Sequence, residues 1–168
     1  ASSELHTNGY SLARRILFEQ MRLKCHSRIP ELGLTIGEEL LKVHVSYRPL
    51  LRKLLKRFNR DGELRLIKAL AHITGGGFID NIPRVLPDSC DVIIRKHSWE
   101  MPPVFQVIAA QGGVPERELY QVFNMGIGMT AIVAPDQADA VLRAINATKH
   151  KAWIIGEVVK GSGEARVV

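Results

Sequence analysis

The sequence predicts an α/β (α+β) domain, a mixed sheet of about four or more strands covered by helices. Two observations carry this reading. Short aliphatic runs alternate with helical stretches after residue 63, the order expected of a sheet with helices packed on it. The 168 residues, 46% hydrophobic and 24% charged, are enough to bury one core without staples and suit a single domain spanning 1–168.

The elements follow in order. Thr7 or Asn8 is placed to cap a helix reaching about Lys24, with Leu12, Ile16, Leu17 and Met21 on one face. Thr35 with Glu38 three residues later forms a capping-box pattern before a short helix over residues 36–42. A helix over residues 47–58 sets Leu50, Leu51, Leu54, Leu55 and Phe58 in an apolar stripe. Asn59-Arg60-Asp61-Gly62 is a turn. The aliphatic run 64–73 predicts a strand that three glycines break at residue 75. A short helix over 78–85 ends before Pro87, and Val92-Ile93-Ile94 marks a buried strand over 91–96. Pro103 opens a helix closed by Gly112-Gly113, and Pro115 opens another. Residues 128–133 form a strand, 135–147 a helix and 152–159 a last strand before a polar tail, 161–166.

Several function classes are excluded or weakened. The two cysteines, Cys25 and Cys90, show no Cys-x-x-Cys spacing, so a disulfide framework or zinc site has no support and a reducing, cytoplasmic setting is expected. No apolar run spans a bilayer, and residues 1–8 lack the basic start and apolar stretch of a signal peptide. The six histidines show no metal-ligand spacing, and no metal ligands are assigned. Carboxylates such as Glu38-Glu39 and Asp136…Asp139 fall in predicted first helical turns, where the macrodipole explains them. The phosphate-loop motif and His-Glu-x-x-His are absent. Gly126-Ile127-Gly128-Met129-Thr130-Ala131 matches a dinucleotide fingerprint in letters alone. That motif must open a helix, and here a β-branched run follows, so a Rossmann site is rejected.

The net charge is +6, and Lys42, Arg48, Arg52, Lys53, Lys56, Arg57 and Arg60 hold much of it. The pattern fits the solvated face of an amphipathic helix. A nucleic-acid surface would call for interleaved aromatics, which are missing, and attraction of an anionic metabolite is a third reading.

Two clusters stand out. Thr74-Gly75-Gly76-Gly77 lies between a predicted strand and a helix start. Its glycines let the backbone approach a phosphate and line it with N–H groups, or they simply make a tight turn. His6-Thr7-Asn8-Gly9 puts imidazole, hydroxyl and amide beside a glycine. A helix cap explains Thr7 or Asn8 and leaves His6 unexplained.

Taken together, these clusters resemble the phosphoribosylformylglycinamidine cyclo-ligase (aminoimidazole ribonucleotide synthetase) family. Ser2-Ser3-Glu4-Leu5-His6-Thr7-Asn8-Gly9-Tyr10-Ser11 is similar to the family's Ser-Ser-Gly-x-His-(Thr/Ser)-Asn-Gly-(Tyr/Phe)-Ser segment. Ala69-Leu70-Ala71-His72-Ile73-Thr74-Gly75-Gly76-Gly77-Phe78 resembles its glycine-loop segment, and the match continues through Asn81-Ile82-Pro83-Arg84-Val85-Leu86-Pro87. Phe123-Asn124-Met125-Gly126-Ile127-Gly128-Met129 and Ala152-Trp153-Ile154-Ile155-Gly156-Glu157-Val158 resemble two further family segments.

The resemblance implies the C-terminal domain of an ATP- and Mg2+-dependent ligase of purine biosynthesis. The enzyme closes formylglycinamidine ribonucleotide into aminoimidazole ribonucleotide. In the family, ATP phosphorylates the formamide oxygen and an amidine nitrogen then attacks that carbon. The resemblance places substrate phosphate on Thr74, Gly75, Gly76 and Gly77, with Arg84 as a helper, and substrate orientation on Thr7, Asn8 and Gly9. It makes His6 the candidate catalytic residue, by proton transfer or by hydrogen bonding. ATP and Mg2+ belong mainly to an N-terminal domain absent from this chain, which is also the expected partner and the seat of a homodimer. Glu4 departs from the family glycine. It resists positive φ and would repel phosphate, so it points away from the site or alters substrate preference. The alternatives are a related ATP-dependent enzyme, of the amidotransferase or thiamine-phosphate kinase type, and a stand-alone nucleotide- or nucleic-acid-binding module.

Overall fold

The structure, a computed structural model, describes residues 1–60 and 65–168. The predicted Asp61-Gly62 half of the turn and the Leu64 start of the first strand lie outside the described residues. In chain order the helices are α1 (Tyr10–Arg14), α2 (Ile36–Leu40), α3 (Arg48–Phe58), α4 (Gly77–Asn81), α5 (Pro103–Gly112), α6 (Glu116–Val122) and α7 (Ala138–Asn146). The strands are β1 (Ile67–His72), β2 (Cys90–Ile94), β3 (Met129–Val133), β4 (Gly156–Lys160) and β5 (Ala165–Val167).

The α+β class is as expected, and the strands divide between two sheets. β1 pairs antiparallel with β3, Leu70 opposite Ala131 and His72 opposite Met129. The ladder runs one step further, where Ile73 N–H donates to the Gly128 carbonyl at 2.9 Å. The second sheet has the order β4-β2-β5, antiparallel on one side of β2 and parallel on the other. Among the described residues the strands pair only within these two groups, and the single larger sheet read from the sequence does not form.

The C-terminal tail, expected as polar and irregular, returns as β5. The cause is Asp91, buried at 2% exposure. Its carboxylate accepts N–H bonds from Ser162 (2.7 Å) and Glu164 (2.9 Å) and pairs with the Arg166 guanidinium at 2.7 Å. These donors, the two backbone amides first, hold its pKa below the ordinary carboxylate value. Gly161 lies against the same carboxylate, where any side chain would overlap it.

Helix α1 runs on as a π-helical segment, Arg15–Gln20, and buries Ala13, Ile16 and Leu17. Its cap corrects the sequence reading. The N-cap is Gly9 at φ 74, with no side-chain bond, so neither Thr7 nor Asn8 caps the helix. The Thr35–Glu38 capping box forms as predicted. Helix α3 buries Leu50, Leu54 and Phe58 against Ile67 of β1 and Val141 of α7. Its cations Arg48, Arg52, Lys53, Lys56 and Arg57 remain exposed, the solvated-face reading. The main core gathers Phe78, Phe105, Phe123, Ile73 and Ile94, all essentially inaccessible. Burying each such side chain contributes about 1.5–3 kcal/mol.

Candidate functional site

The glycine loop begins where β1 ends. Gly76 and Gly77 adopt φ of 96° and 55°, values open to glycine and strained for other residues. Gly77 packs so close to the Tyr120 carbonyl that a Cβ would overlap it. Gly75 has neither constraint: its φ is not positive, and a Cβ there would meet only Asn8 Oδ1, at 3.4 Å. The loop is pinned from within. Asn81 Nδ2 donates to the carbonyls of Gly75 (3.1 Å) and Gly77 (2.8 Å), and Thr74 Oγ1 donates to Asn81 Oδ1 at 3.2 Å. These bonds engage carbonyls and the Thr74 side chain. Gly77 N–H closes the turn on Thr74 O at 3.0 Å. Among the described residues, no acceptor takes the N–H of Gly75 or Gly76.

A groove of about 660 Å³ opens beside the loop, and Gly9, Gly75, Gly76, Asp80, Arg117 and Gln121 are among its lining residues. It brings the first motif to the second, since Gly9 and the loop glycines share one wall. Gly9 fits there only as glycine, because a Cβ would run into the Phe123 ring. Asp80 and Glu118 make the rim partly acidic. Such a groove accepts a phosphate only with its charge offset, by Arg117 or by a cation carried with the ligand.

A second polar cluster, of Thr7, His44, Tyr47 and His72, gathers around His6, which is 4% exposed. Its backbone is left-handed at φ 57. Gly128 makes room for it: a Cβ there would collide with both His6 and the Tyr47 hydroxyl. His6 stacks on His44 with ring centroids 3.8 Å apart, and His44 lies 5.4 Å from His72. Thr7 Oγ1 is 3.0 Å from His44 Nδ1. Burial, then the neighbouring His44 and His72, lowers the His6 pKa to about 4. At neutral pH His6 is therefore an uncharged imidazole, able to orient by hydrogen bonding and poorly suited to donate a proton.

Asn124 fastens this motif to the chain. Its Nδ2 donates to the carbonyls of Glu4 (2.8 Å) and Leu5 (3.2 Å), while its Oδ1 accepts from Ser2 Oγ and Gly126 N–H at 2.8 Å each. Glu4 adopts a positive φ, 86°, despite its side chain. Its carboxylate turns to Lys42 at 3.1 Å, and Lys42 also holds Glu39 at 2.8 Å. Glu4 thus spends its charge on an ion pair.

The structure brings Asn8, Gly9, Gly75 and Gly76 together. Arg84 is exposed on the turn after α4, with Nη1 3.4 Å from Asn81 Oδ1; it is not among the residues lining the groove. Sequence reasoning missed Asn81, Asn124, His44 and Tyr47. Asn81 and Asn124 stood inside quoted motifs as unexplained polar letters. His44 and Tyr47 carried no local signal.

The fold and the groove define an α+β domain with a ligand-sized cleft lined in part by two loop glycines whose amides have no acceptor among the described residues. Residues 1–168 match the family described as AIR synthase related protein, C-terminal domain, and the chain belongs to that family. It is 43% identical over 164 residues to the phosphoribosylformylglycinamidine cyclo-ligase of Syntrophotalea carbinolica, covering 98% of this chain and 45% of that protein. It is 47% identical over 162 residues to the cyclo-ligase of Geobacillus thermodenitrificans, covering 96% and 45%. The chain thus spans about half the length of these relatives. The E. coli hydrogenase maturation protein HypE shares the fold, with a TM-score of 0.52 at 22% identity over 79% of this chain and 41% of its own. No helix among the described residues is long and apolar enough to cross a membrane.

Proposed function

We propose that this chain is the substrate-facing C-terminal half of a cytoplasmic phosphoribosylformylglycinamidine cyclo-ligase, which converts formylglycinamidine ribonucleotide to aminoimidazole ribonucleotide. The observation that carries the reading is that Gly75 and Gly76, whose amides have no acceptor among the described residues, line a groove together with Gly9. Preorganised N–H groups bind a phosphate without reorganising on arrival. Asn8 Oδ1, beside Gly75, is placed to orient the substrate's amidine, and Thr7 and His6 support that end. Holding formamide and amidine in register is what ring closure requires.

ATP and Mg2+ have no ligands assigned in this chain. Among the described residues, the one group of three or more clustered metal-ligating side chains is made of imidazoles, whereas Mg2+ takes oxygen ligands. We assign both to an N-terminal domain outside this chain, which also carries the homodimer contact.

The test is ATP- and Mg2+-dependent formation of aminoimidazole ribonucleotide by the full-length protein. No turnover from folded protein overturns the assignment. Gly75→Ala tests the loop itself. It should raise KM for the ribonucleotide about tenfold, because the added methyl keeps the phosphate from the loop amides while leaving them in place, and Tm should stay within about 1 °C. An unchanged KM would reduce the loop to a turn.

A further inference from the structure

We propose that His6, His44 and His72 form a binding site for a transition-metal dication of the zinc class. The three residues come from different elements: the N-terminal motif, the loop between α2 and α3, and the last position of β1. One ring nitrogen from each lies within 4.8 Å of the others. Zinc–imidazole bonds of about 2.0–2.1 Å in a tetrahedron set ligand nitrogens roughly 3.3 Å apart. His72 is exposed, so its ring has room to turn toward the other two, and admitting the ion requires the stacked His6–His44 pair to separate.

A second observation points to a ligand. Ser3 N–H donates to His6 Nε2 at 3.0 Å, which leaves the neutral ring's proton on Nδ1. That Nδ1 is buried and has no hydrogen-bond partner among the described residues. A buried ring nitrogen without a partner is uncommon and costly. Coordination at Nδ1 would give that nitrogen a partner, with the ring proton passing to Nε2; the Ser3 amide then faces an N–H and must turn to another acceptor. His44 is already held as metal-ligating imidazoles are. Its Nδ1 pairs with Thr7 Oγ1, fixing the ring and leaving Nε2 for the ion. Three neutral imidazoles suit Zn2+, Co2+, Ni2+ or Cu2+ and disfavour Mg2+. The site is therefore separate from the Mg2+ of the proposed ligase chemistry, and it leaves a fourth coordination position open.

The test uses full-length protein stripped with a chelator and titrated with Co2+, read by visible absorption and by metal content. One Co2+ per chain is expected, with the intense bands of low coordination number, displaced by equimolar Zn2+ and untouched by excess Mg2+. His44→Ala and His72→Ala should each weaken binding tenfold or more, and Thr7→Val less, with His26→Ala as the unaffected control. His72 is exposed, so its removal spares the fold, which circular dichroism verifies. No stoichiometric Co2+ uptake, uptake undiminished in both histidine variants, or displacement by Mg2+ would each overturn the proposal. Turnover is not the readout, so failure here leaves the ligase assignment standing, and the converse also holds.

Discussion

Lys42 shows how one residue settles a conflict written into the chain. Glu4 occupies a left-handed position at φ 86, which costs a non-glycine residue about 1–2 kcal/mol. Burial then raises its pKa, and a second carboxylate, Glu39, is only 3% exposed. Lys42 bridges both. Lys42→Met leaves two carboxylates near each other without a cation. The expected destabilisation is about 2–3 kcal/mol, below the range for a fully buried pair because Lys42 remains partly exposed. Lys42→Arg should recover most of it. Chemical denaturation of the three proteins measures the differences, and a Lys42→Met loss under about 0.5 kcal/mol would show that the bridge is a surface pair. The basic residues counted in one group from the sequence therefore do different work: Lys42 is structural, while those of α3 face solvent.

At the scale of elements, the clasp on Asp91 decides whether β5 exists. The folded pKa of Asp91 is lowered from an ordinary 3.8, by backbone amides first and the Arg166 guanidinium after. A depressed carboxylate contributes stability that is present above its unfolded pKa and lost as pH falls below it. Protection of β5 amides in hydrogen exchange should accordingly hold from neutral pH to about 4 and fade below. Asp91→Asn should remove that dependence and expose β5 at every pH. Equal protection of β5 in variant and parent would mean that strand pairing alone holds it. The same reasoning explains why the tail was illegible beforehand. Residues 161–166 are polar and carry no alternation, and their partner lies some seventy positions upstream. Elements with local signals were read well. The Thr35–Glu38 box, the prolines opening α5 and the leucine stripe of α3 each encode their structure within a few residues. The predicted Thr7 or Asn8 cap failed because Thr7 pairs with His44 and Asn8 lies against Gly75, tertiary contacts that no local rule contains.

For the whole molecule, the chain spans about half the length of its cyclo-ligase relatives, and its groove supplies only one wall of the proposed chemistry. The 168-residue chain expressed alone should fold cooperatively and bind the ribonucleotide weakly. It should give no ATP-dependent turnover unless it is joined to an N-terminal half of the kind its longer relatives carry. Turnover by the isolated chain would place the ATP site within these residues and refute the division of labour. The sequence by itself determined the α+β class, most helix starts, the glycine loop and the family motifs, because each rests on contiguous residues and on backbone preferences. Only the tertiary structure decided that the strands form two sheets, that residues 165–167 are one of them, and that Asn124 and Asn81 pin the two motifs. It also decided that His6, His44 and His72 meet. Those outcomes depend on contacts between residues far apart in sequence, which packing brings together and which local preference does not specify.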